Sequence, residues 1–345
     1  MTAAAVALPP LASPHAAYGV PPRITTADGR TRKVGVEIEF AGLSVEAASA
    51  VVQRLYGGET VPTQRFGAEV RGSSLGEFRV EIDSMPLKTE RYKSILEKLG
   101  AGDALISVAE DVIETIIRLW VPIEIVTAPI AIEDLGKLEP LRWALFAEHA
   151  EGTRASPFYG FGFQLNPELP ALDAATITRY LRAFLALHEW LAAVVDVDPT
   201  RRLGPYVDAF PEAYRRKVLA PDYAPDEGQL VADYLEDNPT RNRALDMLPV
   251  FATLRHDEVI AAAKEGDQIK ARPTFHYRLP NCLIDDPAWS FATEWNRWVE
   301  VERLAEDPAR LAAICDDLLA VPIDAPPIST AAAIARAHRW GVEAP

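Results

Sequence analysis

Two acids spaced two residues apart, Glu37 and Glu39, lie inside the otherwise apolar, β-branched run Val34-Gly35-Val36-Glu37-Ile38-Glu39-Phe40. Side chains of a strand alternate between its faces, so both carboxylates project to one side while Val36, Ile38 and Phe40 pack on the other. Neighbouring carboxylates repel unless a cation lies between them, and hard divalent cations such as Mg²⁺ take oxygen ligands of this kind. The same alternation recurs along the chain. Gly76–Asp83 places Glu77, Arg79, Glu81 and Asp83 on one face, with Phe78, Val80 and Ile82 opposite. Ile123–Thr127 places Glu124 between Ile123 and Ile125, and Gly160–Asn166 puts Gln164 and Asn166 on one face. Pro273–Leu279 carries Thr274, His276 and Arg278 on one face, with Arg272 just before it.

Any antiparallel sheet with one wet face alternates in this way without having a function. The distribution of residue types argues for more. The early strands are rich in carboxylates and the late strand bears arginine and histidine. Acids facing arginines on one concave sheet suit Mg²⁺ together with a polyphosphate. The metal neutralises phosphate charge, and the arginines stabilise charge that builds during transfer. Neither a G-x-x-x-x-G-K-[ST] loop nor a G-x-G-x-x-G loop occurs, so ATP, if bound, is held by metals and arginines.

The elements that must position these residues are legible in outline. Strands are expected at Lys33–Phe40, Thr60–Val70, Gly76–Asp83, Ile123–Thr127, Gly160–Asn166 and Pro273–Leu279, with a hairpin loop at Arg71–Leu75. Helices are expected at Val45–Tyr56 after Ser44, and at Asp103–Leu119, Ile132–Glu148, Asp173–Val195, Pro211–Leu219, Asp226–Glu236, Ala288–Ala305, Asp307–Leu319 and Ser329–Trp340. The first half is strand-rich and the second helical. The prolines of residues 1–30 suggest an extended or loosely attached arm, followed by a single unit over 31–345.

The 345 residues are 49% hydrophobic and 25% charged, ordinary globular composition with ample length for a large core. A net charge of −15 disfavours general binding to nucleic acid, because the surface repels phosphate backbones. The two cysteines, Cys282 and Cys315, have no metal-ligand spacing and imply neither a disulfide framework nor a zinc site. Reduced thiols, the absence of a membrane-length apolar run and the lack of a basic, signal-like N-terminus lead to the expectation of a cytoplasmic protein without membrane contact.

Taken in order, G-V-E-I-E-F, F-R-V-E-I-D-S, P-I-E-I-V-T-A-P and F-G-F-Q-L-N-P-E resemble the amidoligase family, in the wider class of glutamine synthetase and glutamate–cysteine ligase. The resemblance spans about residues 33–280, and its most specific pieces are the first strand and E-I-V-T-A-P. It implies an α+β fold, a curved antiparallel sheet with helices on its outer face, like the glutamine synthetase catalytic domain. It implies ATP- and Mg²⁺-dependent amide-bond formation between a small-molecule or peptide carboxylate and an amine, through an acyl phosphate. Glu37 and Glu39 would then be metal ligands and Glu124 another metal or amine-site carboxylate, and Glu81, from its place on the strand face, is a further acidic metal-side candidate. Asp83 binds metal or orients substrate. Arg272 and Arg278 contact phosphate, and Gln164 and Asn166 line the nucleotide site.

Two departures stand out. The family commonly carries histidine where this chain has Gln164, and glutamine cannot carry a proton charge. The D-x-S segment reads Asp83-Ser84-Met85. The first departure keeps open a non-catalytic nucleotide- or ligand-binding protein, and a metal-dependent amide hydrolase using the same carboxylates is a third possibility.

Other features have plainer expectations. His276 is either a satisfied structural histidine or a group facing phosphate. Arg215, Arg216 and Lys217, near Tyr206 and Tyr214, form a solvated helix face or a lid for an acidic substrate. Trp289, Trp295 and Trp298 are expected in the core. No histidine is placed beside Cys282 to make it a nucleophile.

Overall fold

A computed structural model describes residues 17–63, 67–82, 122–156, 159–203 and 207–343. Asp83 and the helix expected at Asp103–Leu119 lie outside the described residues. The strands are β1 (Lys33–Phe40), β2 (Glu59–Thr63), β3 (Gly67–Ser73), β4 (Gly76–Ile82), β5 (Ile123–Thr127), β6 (Ile130–Ala131), β7 (Phe163–Pro167), β8 (Leu245–Asp246) and β9 (His276–Tyr277). They form one antiparallel sheet in the order β2-β3-β4-β5-β1-β7-β9-β8, with β6 also pairing with β1. Helices pack around this sheet, and the architecture is α+β.

β1 alternates as its sequence demands. Val34, Val36, Ile38 and Phe40 are buried, and Glu37 and Glu39 are partly exposed. The apolar sides of β3 and β4, with Val70, Phe78 and Val80, continue that buried layer. The Val45–Tyr56 helix covers this end, capped by Ser44 Oγ accepting from Ala47 N, with Tyr56 stacked on Phe78 at 5.4 Å. At the other end the Ala174–Val195 helix, capped by Asp173, stacks Tyr180 on Phe275. The Phe291–Ala305 helix lays Trp298 against Phe275 and Tyr277. Trp289, Trp295 and Trp298 are buried, as expected.

A buried ion pair fastens this helix to the start of β1. Arg32 meets Glu302 with two contacts of 2.7 and 2.8 Å, both side chains fully buried, and Trp298 Nε1 donates to Glu302 Oε1 at 2.7 Å. The described part of residues 1–30 lies against the same helix. Gly19 accepts from Trp295 Nε1 at 2.8 Å, and Ala17 accepts from Asn296 Nδ2 at 2.9 Å.

Two sequence expectations need correction. Thr60–Val70 is not one strand but β2 and β3 paired with each other, in a register that puts Thr63 opposite Gly67. The antiparallel pairing of the two halves replaces the one continuous strand. Of the strand expected at Pro273–Leu279 only His276–Tyr277 is ladder-paired, between β7 and β8. Pro273 and Pro280 lack the N–H that a longer ladder requires.

Candidate functional site

The register brings the polar residues of separate strands into rows. Glu81 of β4 lies opposite Glu124 of β5, which lies opposite Glu39 of β1. Residues directly opposite in an antiparallel pair share a face with Cβ atoms about 5 Å apart, and like charges so placed destabilise the sheet. Three carboxylates therefore stand abreast. In the next row Arg79 and Glu37 flank Val126, and Glu37 lies opposite Gln164. Beyond β7, Leu165 pairs with Tyr277, which sets Gln164 and Asn166 beside Arg278 and His276. The sheet face thus runs from acids on β4, β5 and β1 to His276 on β9 and Arg278 just after it.

Hydrogen bonds tie these rows together. Glu39 accepts from Gln164 Nε2 on Oε1 at 3.0 Å and from Gly162 N on Oε2 at 2.7 Å. Glu37 Oε1 accepts from Asn166 Nδ2 at 2.6 Å. Arg278 Nη1 donates to Gln164 Oε1 at 2.6 Å, and its Nη2 donates to Asp246 Oδ2 at 3.0 Å. Asp246, on the two-residue strand β8, is fully buried. Its Oδ1 accepts from Leu248 N at 3.0 Å, and Arg241 Nε lies 4.0 Å from Oδ2.

The charges follow from this packing. Burial opposes the Arg278 charge, but Asp246, Glu37 and Glu39 outweigh it and hold its pKa above the ordinary value. Burial pushes Asp246 up, and Arg278 and Arg241 pull it back. Burial, with Arg278, Arg272 and Arg241 around it, drives His276 well below its usual pKa, so the ring is neutral. Arg278 Nη2 lies 3.4 Å from His276 Nδ1. Arginine only donates, so Nδ1 is the acceptor and Nε2 carries the proton.

Four atoms on this part of the face are buried without a hydrogen-bond partner: Asn166 Oδ1, Thr274 Oγ1, His276 Nε2 and Arg278 Nε. Buried polar atoms are normally paired, and a cluster of orphans marks a place that a ligand or water completes. His276 thus keeps one ring nitrogen, Nε2, for a ligand or a water.

Gly162 closes the site from beside Glu39. A Cβ there would sit 2.9 Å from Arg201 Nη2. Arg201 is buried and cannot step aside, because it donates to the carbonyls of Arg278, Leu279 and Pro280, each at 2.6 Å. It thereby holds the chain that leaves β9.

The structure brings Glu37, Glu39, Glu81, Glu124, Gln164, Asn166 and Arg278 onto one face. Arg272 is half-buried just before β9, close enough to depress His276. Asp246, Arg241 and Arg201 are the residues that sequence reasoning missed. Asp246 lies in a two-residue strand with no periodicity, so nothing short of the fold reveals it. Away from the sheet face, Arg215 and Arg216 pair with Glu212 and Lys217 pairs with the buried Asp233, so this cluster is bound up in ion pairs. Cys282 is buried with its thiol pKa pushed up by burial, which removes it as a nucleophile.

Among the described residues no three His, Cys, Asp or Glu side chains gather into a metal cage. Mg²⁺ does not require one, since it is commonly held by one or two carboxylates plus substrate phosphates. The row Glu39–Glu124 offers two hard oxygen donors of the right chemistry, with Glu81 and Glu37 adjacent. No helix among the described residues is long and apolar enough to cross a membrane.

No curated protein and no solved structure matches the chain. A family model described as "Putative amidoligase enzyme" matches residues 30–300, a stretch that holds every residue of this sheet face. The chain belongs to that amidoligase family.

Proposed function

We propose that this protein is an ATP- and Mg²⁺-dependent ligase that joins a carboxylate to an amine. The observation that carries the reading is the polarity of the sheet face within an amidoligase chain: three abreast carboxylates at one end, and a partly buried, always-charged arginine with orphaned donors beside it at the other. In the proposed reaction the substrate carboxylate oxygen attacks the γ-phosphorus of ATP and ADP leaves. The amine nitrogen then attacks the acyl carbon, phosphate departs, and the nitrogen gives up a proton.

Mg²⁺, when bound, neutralises phosphate charge and aligns the phosphoryl group. Glu39 and Glu124 are the residues to hold it, with Glu37 and Glu81 beside them. Arg278 and Arg272 supply fixed positive charge for the transferring phosphoryl oxygens, at no reorganisation cost because Arg278 is already braced. Neutral His276 serves as a hydrogen-bond donor through Nε2 rather than as an acid. Gln164 has no proton to transfer, and its hydrogen bonds assign it an orienting role instead.

The test is Glu37→Gln. The change keeps the size of the side chain and an oxygen for Asn166 Nδ2 while removing the charge. It is expected to lower ATP turnover at least a hundredfold with a melting temperature close to that of the parent. Undiminished turnover by the folded variant excludes Glu37 from the site.

A further inference from the structure

We infer that Asp246 is a positioning residue for Glu39, acting through Arg278 and Gln164. The inference rests on the proposed reading of the sheet face as a ligase site. It concerns a chain of contacts linking β8, β9, β7 and β1: Asp246 Oδ2 to Arg278 Nη2 at 3.0 Å, Arg278 Nη1 to Gln164 Oε1 at 2.6 Å, and Gln164 Nε2 to Glu39 Oε1 at 3.0 Å.

Each link has only one polarity. A guanidinium has donors and no acceptor, so the end of Gln164 facing Arg278 must be its carbonyl. The amide nitrogen is then turned to Glu39, a carboxylate that only accepts. Nothing in the chain can flip without setting donor against donor or acceptor against acceptor. The far end is anchored as well. Asp246 is fully buried and its other oxygen accepts from Leu248 N at 3.0 Å, at the first residue of a helix. With Gly162 N on Oε2 at 2.7 Å, each Glu39 oxygen receives a fixed donor, which sets the plane of the carboxylate. Glutamine at the middle link means that orientation is transmitted and protons are not.

If Asp246 served only to neutralise a buried arginine, its loss would affect the site equally whether or not Gln164 connected them. A double-mutant cycle separates the two roles. Asp246→Asn keeps the size but sets an NH₂ against either Arg278 Nη2 or Leu248 N, breaking one link. Gln164→Met is nearly isosteric and cuts the chain in the middle. The readouts are the affinity for Mn²⁺ alone, followed by electron paramagnetic resonance, and the ¹⁵N–¹H signals of the Gln164 side-chain amide, assigned by their loss in Gln164→Met.

Asp246→Asn is expected to move the Gln164 amide signals and to weaken Mn²⁺ binding by about tenfold or more, the usual effect of losing a residue that orients a metal ligand. In the Gln164→Met background the same substitution should change the affinity by less than about twofold. Equal losses in both backgrounds, or unmoved Gln164 signals, overturn the inference. If Asp246→Asn does not fold, Arg278→Lys replaces it in the same cycle. It keeps the charge but cannot fork to both neighbours, and the same pattern is expected. A wild-type protein that binds no Mn²⁺ while its Gln164 signals still respond to Asp246→Asn would leave the relay standing and remove the metal reading.

Discussion

Arg278→Met is the most informative perturbation of the sheet face, because its cost follows from three contacts of one guanidinium. The substitution removes the donor to Asp246 Oδ2 at 3.0 Å, the donor to Gln164 Oε1 at 2.6 Å and the neighbour of His276 Nδ1 at 3.4 Å. Stripping one partner from a buried ion pair costs about 3–5 kcal/mol, and orphaning a buried acceptor adds about 1–3 kcal/mol. Arg241, 4.0 Å from Asp246, offsets part of this, so a loss of about 4 kcal/mol is expected, a large share of the stability of an ordinary domain.

The second variant makes the reasoning specific. In Arg278→Met/Asp246→Asn the buried charge is gone and the acceptor for Leu248 N survives, so at least half of the loss should return. Urea unfolding followed by tryptophan fluorescence measures both. The single variant should also be closer to the wild type at pH 5 than at pH 8. An unpaired buried carboxyl has a folded pKa above its unfolded value, so its protonated form stabilises at low pH and that stabilisation is lost as pH rises. A single variant within about 1 kcal/mol of the wild type, or a double variant less stable than the single, refutes the argument.

Three further outcomes are expected. Glu302→Gln leaves Arg32 fully buried without a charged partner and should cost about 3–5 kcal/mol in urea unfolding, whereas a surface pair such as Arg54–Glu148 should cost under about 1 kcal/mol on the same treatment. Gly162→Ala drives a Cβ to 2.9 Å from a guanidinium pinned by three carbonyls and should destabilise by about 1–3 kcal/mol while displacing the Gly162 N–Glu39 contact. An unchanged melting temperature would contradict that crowding. Burial, with Arg215 and Arg202, pushes His188 down to about 4, and burial with its arginine neighbours pushes His276 well below the usual value. Both folded pKa values lie below the unfolded one near 6.5, so the stability they contribute is present above about pH 6.5 and is lost as pH falls toward 4. The slope is about 1.4 kcal/mol per pH unit for each histidine, and His188→Gln should reduce the measured slope by that amount.

The parts of this molecule that the sequence discloses are those governed by local rules. β1 is legible because Glu37 and Glu39 break an apolar run at a spacing of two, and its bounds agree with the structure. Helix starts are legible because Ser44, Asp173, Asp226, Asp307 and Ser329 are capping residues, and each accepts from the backbone N–H three residues on. The sharing of a face by Glu37, Glu39, Gln164, Asn166 and Arg278 also follows from period two.

What stays hidden is set by long-range pairing. β8 has two residues and no pattern, so Asp246 is silent until β9 is found beside it. The break between β2 and β3 is missed because both halves carry strand-like residues, and the pairing that separates them depends on their partners. The departure at Gln164 takes on a different meaning in the fold. Held between Arg278 and Glu39, an amide does what a neutral donor–acceptor group must do there, and a titrating side chain is not required.

The most direct test of the central claim is phosphate release from Mg·ATP by the purified protein, with pools of carboxylic acids and amines supplied separately and together. The account predicts release that requires both an acid and an amine and is lost in Glu37→Gln. Amide cleavage without ATP, or Mg·ATP binding with no release from any pool of acids, amines and peptides, would contradict it.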